Sequence, residues 1–142
     1  LYFTFFSDTE EYPANIKTGT NLNIWFSVRF HLDVVRPIYG ITIKTKEGLT
    51  VYGKNTLLQP DEANLEAGGA GSLSVVKARF EASLAPGDYF ISLGIASRNE
   101  SSVVPHDRRY DSVHFHVEST EEFHGIADLK IEITSDNLDH VE

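Results

Sequence analysis

Trp25, Arg29 and His31 fall at alternating positions of one short stretch, so in an extended chain they share a face. An indole beside fixed hydrogen-bond donors is what a sugar platform needs. The apolar face of a pyranose stacks on the ring and the donors hold its hydroxyls. The same trio would serve a protein contact, because Trp is enriched at interfaces. Lys77 and Arg79 repeat the two-residue spacing. The planar fork of Arg79 suits a carboxylate or phosphate, whereas a solvated outer face is the plainer reading of Lys77. His114 and His116 also stand two apart and would join the first group if their strands share a sheet. With His31 or Asp107 they could suggest a metal site. Such a site needs three or four converging ligands and only two are local, so no metal and no cofactor are predicted. The segment Pro105–Asp111 gathers His106, Asp107, Arg108, Arg109 and Asp111. Acid–base chemistry there has no nucleophile to serve, and glycosidase chemistry needs two facing carboxylates, which the abundant acidic residues neither establish nor exclude. No catalytic residue is predicted. The carbohydrate-contact candidates are Trp25, Arg29, His31, Arg79, His114 and His116.

The elements that must hold these side chains read as strands. Over Asn21–Asp33, Leu22, Ile24, Phe26, Val28, Phe30 and Leu32 fall on one face, with Asn23, Trp25, Ser27, Arg29 and His31 on the other. Leu73–Leu84 turns Val76, Ala78, Phe80, Ala82 and Leu84 inward. Tyr89–Ala96 does the same with Tyr89, Ile91, Leu93 and Ile95, and Asp111–Glu118 with Val113, Phe115 and Val117. Arg36–Thr56 reads as a hairpin closed by Lys46-Glu47-Gly48. Tyr2–Phe6 is an aromatic edge or exchanged strand, and Leu129, Ile131 and Ile133 predict a last alternating strand before an acidic, frayed tail. Ser97–Tyr110 reads as a polar loop. Leu57–Ser72, with Pro60 and a glycine run, reads as a long connection holding one helical turn around Glu62–Glu66. Seven or eight short strands without a long helix predict an all-β, antiparallel sandwich, immunoglobulin-like in outline.

Length and composition narrow the function classes. The 142 residues suffice for one domain, 1–142, and 41% hydrophobic content is globular. A net charge of −9 argues against nucleic acid and anionic membrane surfaces as partners. No apolar run is long enough to insert into a bilayer. The start, Leu1-Tyr2-Phe3, has neither a basic region nor a small-residue cleavage site and predicts no signal peptide. The absence of cysteine excludes a disulfide scaffold and fits a reducing compartment.

Four segments in order carry a family resemblance: Arg36-Pro37-Ile38-Tyr39-Gly40 with its Val51-Tyr52-Gly53-Lys54-Asn55-Thr56 exit, Leu84-Ala85-Pro86-Gly87-Asp88-Tyr89, Arg109-Tyr110-Asp111, and Phe123-His124-Gly125-Ile126-Ala127-Asp128-Leu129. Together they resemble the C-terminal carbohydrate-binding domain of Wzt-type proteins, the ATP-hydrolysing subunits of O-antigen polysaccharide ABC transporters. The resemblance spans roughly Lys17 to Ile133. It implies a jelly-roll-like sandwich that dimerises by exchanging a terminal strand. It also implies cytoplasmic, non-catalytic recognition of a finished polysaccharide end, at the bacterial inner membrane beside a transmembrane transporter subunit. The sequence contains no GxxxxGK[ST] run, so the ATPase domain of such a protein is not in this chain. The alternatives from other classes are an adhesive or structural sandwich and a small jelly-roll enzyme acting on polysaccharide.

Overall fold

The computed structural model describes residues 2–34, 36–56, 69–99 and 102–138. Eight strands run in chain order: β1 (Tyr2–Ser7), β2 (Asn15–Lys17), β3 (Asn21–Arg29), β4 (Pro37–Thr45), β5 (Thr50–Asn55), β6 (Leu73–Glu81), β7 (Gly87–Asn99) and β8 (Ser102–Glu118). Among the described residues there is no helix. The strands form two sheets, β1-β3-β6 and β2-β8-β7-β4-β5, and every pairing is antiparallel except β2 with β8. This is the predicted β-sandwich.

The period-2 pattern explains how the sheets meet. Leu22, Ile24, Phe26 and Val28 of β3 are buried against Tyr39 and Ile43 of β4, Tyr89 to Ile95 at alternate positions of β7, and Val113, Phe115 and Val117 of β8. Phe115 is fully enclosed, with ring centroids of Tyr89, Phe5 and Phe80 at 5.6, 5.9 and 6.4 Å. The β4–β5 turn falls at Lys46-Glu47-Gly48, where Gly48 takes φ +93°, a left-handed conformation that costs glycine little. β1 occupies a sheet edge, as its short aromatic run suggests.

Three expectations are corrected. Ser97–Tyr110 is not a loop, because β7 runs on to Asn99 and β8 begins at Ser102, making one long hairpin arm. Val103, Val104, Pro105 and His106 on this arm are exposed, so no core imposes alternation and the strand signal disappears. Pro105 is tolerated because β2 pairs only with 116–118, leaving this part of β8 as an edge, and because the ladder is irregular between Ile95 and Ala96. Leu32 is exposed rather than buried, since β3 ends at Arg29 and the chain bends at His31–Leu32. The expected last strand at Leu129–Ile133 is not a strand within this chain; the last pairing is the bridge Leu84↔Ala127. The expected helical turn at Glu62–Glu66 lies outside the described residues.

Candidate functional site

The outer face of the five-stranded sheet carries a trough. Its floor follows from register. Asn55, Gly40, Gly94 and Arg108 stand opposite one another across β5, β4, β7 and β8, a row of roughly 14 Å at ordinary strand spacing. The next row is Gly53, Thr42 and Ser92. Two adjacent glycines without side chains leave an open depression of about 280 Å³. Neither glycine is demanded by the backbone. A Cβ on Gly94 would meet the Asp107 carbonyl oxygen at 3.9 Å, and one on Gly40 would meet Asn55 Cβ at 3.6 Å, both ordinary contacts without positive φ. The fold would accept alanine at both positions, so what the glycines provide is the empty space.

The walls supply the chemistry. Tyr110 is 63% exposed, the Lys44 ammonium lies 5.9 Å from its ring centroid, and Arg108 Nη1 donates to its hydroxyl at 3.3 Å. An exposed aromatic ring, a guanidinium, an amide and the hydroxyl of Thr42 form the mixed lining that suits polar, ring-shaped ligands.

Farther along this face, on β7 and β8, Asp88 Oδ1 accepts from His114 Nε2 at 2.9 Å and His116 Nδ1 at 3.0 Å, and Phe90 stacks on His114 with centroids 4.8 Å apart. The bonds from His114 and then His116 hold the Asp88 carboxyl below the usual aspartate value. A depressed carboxylate pKa contributes stability that is complete above the unfolded value and lost as pH falls through the native one. The stability advantage of wild type over Asp88→Asn is therefore expected above the ordinary aspartate range and should vanish in stronger acid. Denaturation curves across that range check it, and an advantage that grew in acid would refute it. Among the described residues, no group of three or more His, Asp or Glu is arranged to hold a metal ion.

Five of the six predicted contact residues lie on strands of the two sheets, and His31 lies outside both. Trp25 lies on the outer face of the three-stranded sheet, opposite Lys77 on β6. It is 39% exposed, with the Lys77 ammonium 4.4 Å above its ring and the Phe6 ring edge-on at 5.3 Å. Arg79 stands on β6 opposite Asn23, next along this face. Arg29 is at the far end of β3, where Nη1 donates to the Gly71 carbonyl at 3.4 Å, and His31 lies beyond the strand. His114 and His116 belong to the other sheet, so the shared polar face that would have united them with Trp25 does not form. Sequence reasoning passed over Gly40, Asn55, Ser92, Gly94, Arg108 and Tyr110 as a group. The available signal was the run of small residues at alternate positions, Gly40 and Thr42, then Ser92, Gly94 and Ala96, on two strands whose inward faces are apolar.

No helix among the described residues is long and apolar enough to cross a membrane. The model of the Wzt C-terminal domain family matches residues 1–129 of this chain. A solved structure described as "Crystal structure of the C-terminal domain of wzt" is 31% identical, covers 94% of this chain with 81% of its own length, and superposes with a TM-score of 0.80. No curated protein matches the sequence.

Proposed function

The chain belongs to the Wzt C-terminal domain family, and on that premise we propose that it binds an O-antigen polysaccharide at its finished, terminally modified end, without catalysis. Binding admits the completed glycan to an ABC transporter. The domain acts in the cytoplasm against the inner membrane, within a protein whose ATPase domain engages the transmembrane subunit. The observation that carries the reading is the glycine-floored trough. It has room for a sugar ring or two, it has an exposed tyrosine for stacking, and it has a guanidinium and the Thr42 hydroxyl to hold ring oxygens. Trp25 with Arg79 is the second candidate face, favoured by its exposed indole, although a sugar there would have to displace the Lys77 ammonium from the ring.

Isothermal titration calorimetry with O-polysaccharides of defined end structure tests the proposal. One polysaccharide should bind, and the same chain stripped of its terminal modification should bind at least about tenfold more weakly, the loss of roughly 1.4 kcal/mol. The glycan should be recovered intact. Equal binding of both ends would overturn end recognition, cleavage would favour an enzyme, and no binding to any glycan would favour an adhesive or structural module.

The same reading includes a homodimer built by strand exchange. Leu129, Ile131 and Ile133 alternate along the tail and are 76, 76 and 89% exposed, while β6 is an edge of the three-stranded sheet and β1 is an edge partly covered by residues 10–12. Exposed apolar residues at alternate positions gain burial if the tail extends onto a neighbour's sheet edge, with Lys130 leaving its present φ of +53°. A chain ending at Asp128 is expected to be monomeric by light scattering where the full chain is dimeric. A truncated chain that remains dimeric would assign the exchange to β1 or to neither.

A further inference from the structure

The ladder between β7 and β8 is regular from Gly87↔Val117 to Ile91↔Val113 and resumes at Leu93↔Arg109. Ser92 alone on β7 therefore faces Tyr110, Asp111 and Ser112 on β8, two more residues than a regular ladder allows. Had the first register continued, Tyr110 would stand opposite Gly94 and Arg108 opposite Ala96. The slip instead brings Arg108 opposite Gly94, at the head of the glycine row, and leaves Tyr110 inside the bulge. A slip of two residues keeps every side chain on its face and changes only its neighbours.

Three features hold the slip. Ser92, 9% exposed, accepts the Asp111 backbone N–H on its hydroxyl at 2.9 Å. Ser112 Oγ donates to the Arg109 carbonyl at 2.9 Å. Asp111 adopts φ +51°, which Asp, Asn and Gly tolerate and β-branched residues resist.

We propose that Ser92 and Asp111 are positioning residues for the trough. They fix the bulge that presents Arg108 as the cation at the end of the glycine floor and Tyr110 as the ring beside it, an inference that rests on the trough being the glycan site. Asp111 acts through its backbone conformation and Ser92 through its hydroxyl, without contact with the glycan.

The test is calorimetry on the full 142-residue chain, with the O-polysaccharide that binds wild type. Asp111→Val and Ser92→Ala should each bind about tenfold more weakly, the effect of one misplaced hydrogen bond from a charged group. Asp111→Asn and Asp111→Gly should bind within about twofold of wild type, because both accept the left-handed conformation. Ser92→Ala should also speed hydrogen exchange at the Asp111 amide, while amides of Ile91 and Val113 keep their protection. If Asn and Gly weaken binding as much as Val, the Asp111 carboxylate touches the ligand and the positioning role is wrong. If Arg108→Ala and Tyr110→Ala weaken binding but Asp111→Val and Ser92→Ala do not, the positioning proposal fails while the trough stands. If Arg108→Ala and Tyr110→Ala bind as wild type, or wild type binds no O-polysaccharide, the trough itself is not the site and both fall.

Discussion

Phe115→Ala is expected to destabilise the domain by about 3–5 kcal/mol, the usual cost of deleting a fully buried ring. Phe115 is the point where both sheets and the first strand converge. Its ring meets Phe5 of β1, Phe80 of β6 and Tyr89 of β7, so no single neighbour can relax to fill the space. The cost combines lost transfer energy with a cavity that rigid sheets cannot close. Against a typical total of about 5–15 kcal/mol, such a loss leaves many domains partly unfolded at physiological temperature. Phe26→Ala should fall in the same range of about 3–5 kcal/mol, since Phe26 is enclosed in the facing sheet against Tyr39. Urea denaturation of each variant measures both. A loss below about 1 kcal/mol at Phe26 would mean that β3 is shifted by one residue and presents Trp25 to the core instead.

Gly94→Leu is expected to weaken glycan binding about thirtyfold or more while leaving the fold intact. Position 94 has room for a Cβ and no need for positive φ, so leucine meets no backbone clash at its first carbon. Its remaining atoms rise from the outer face into the trough between Gly40 and Arg108. A ligand seated there loses contact area as well as access, an effect of about 2 kcal/mol or more at the centre of a binding site. Strand propensity improves from glycine to leucine, which offsets part of any strain. Calorimetry and thermal melting on one sample decide the matter. Unchanged affinity with an unchanged melting temperature would move the glycan to the Trp25 face, where Trp25→Ala and Arg79→Ala should then weaken it.

The difference between what was legible and what was not is physical. Leu22 through Phe30, Tyr89 through Ile95 and Val113 through Val117 each have one face against the core, and alternation reports that directly. Leu32 failed because alternation cannot say where a strand stops; the bend at His31–Leu32 ends it. Ser97–Tyr110 was unreadable because that arm has water on both sides, and a strand with two wet faces looks like a loop. The trough needed more than local pattern. Gly40 and Gly94 are 54 positions apart in the chain, and only the β4–β7 register sets them side by side. Trp25 is outward, as the alternation of its strand predicts, but His114 and His116 sit across the sandwich.

The placement of the trough on β7 separates two kinds of heredity within one strand. Ile91, Leu93 and Ile95 face the core, and Ser92, Gly94 and Ala96 line the trough. Substitutions at Gly94 and Ala96 alter the shape of the trough without repacking the first set, and the walls contributed by Arg108 and Tyr110 come from an arm that carries little of the core. On the proposed reading, a lineage meeting a different glycan could redraw this floor at Gly94 or Ala96 while the core set stays packed, whereas a change at Ser92 would also loosen the bulge.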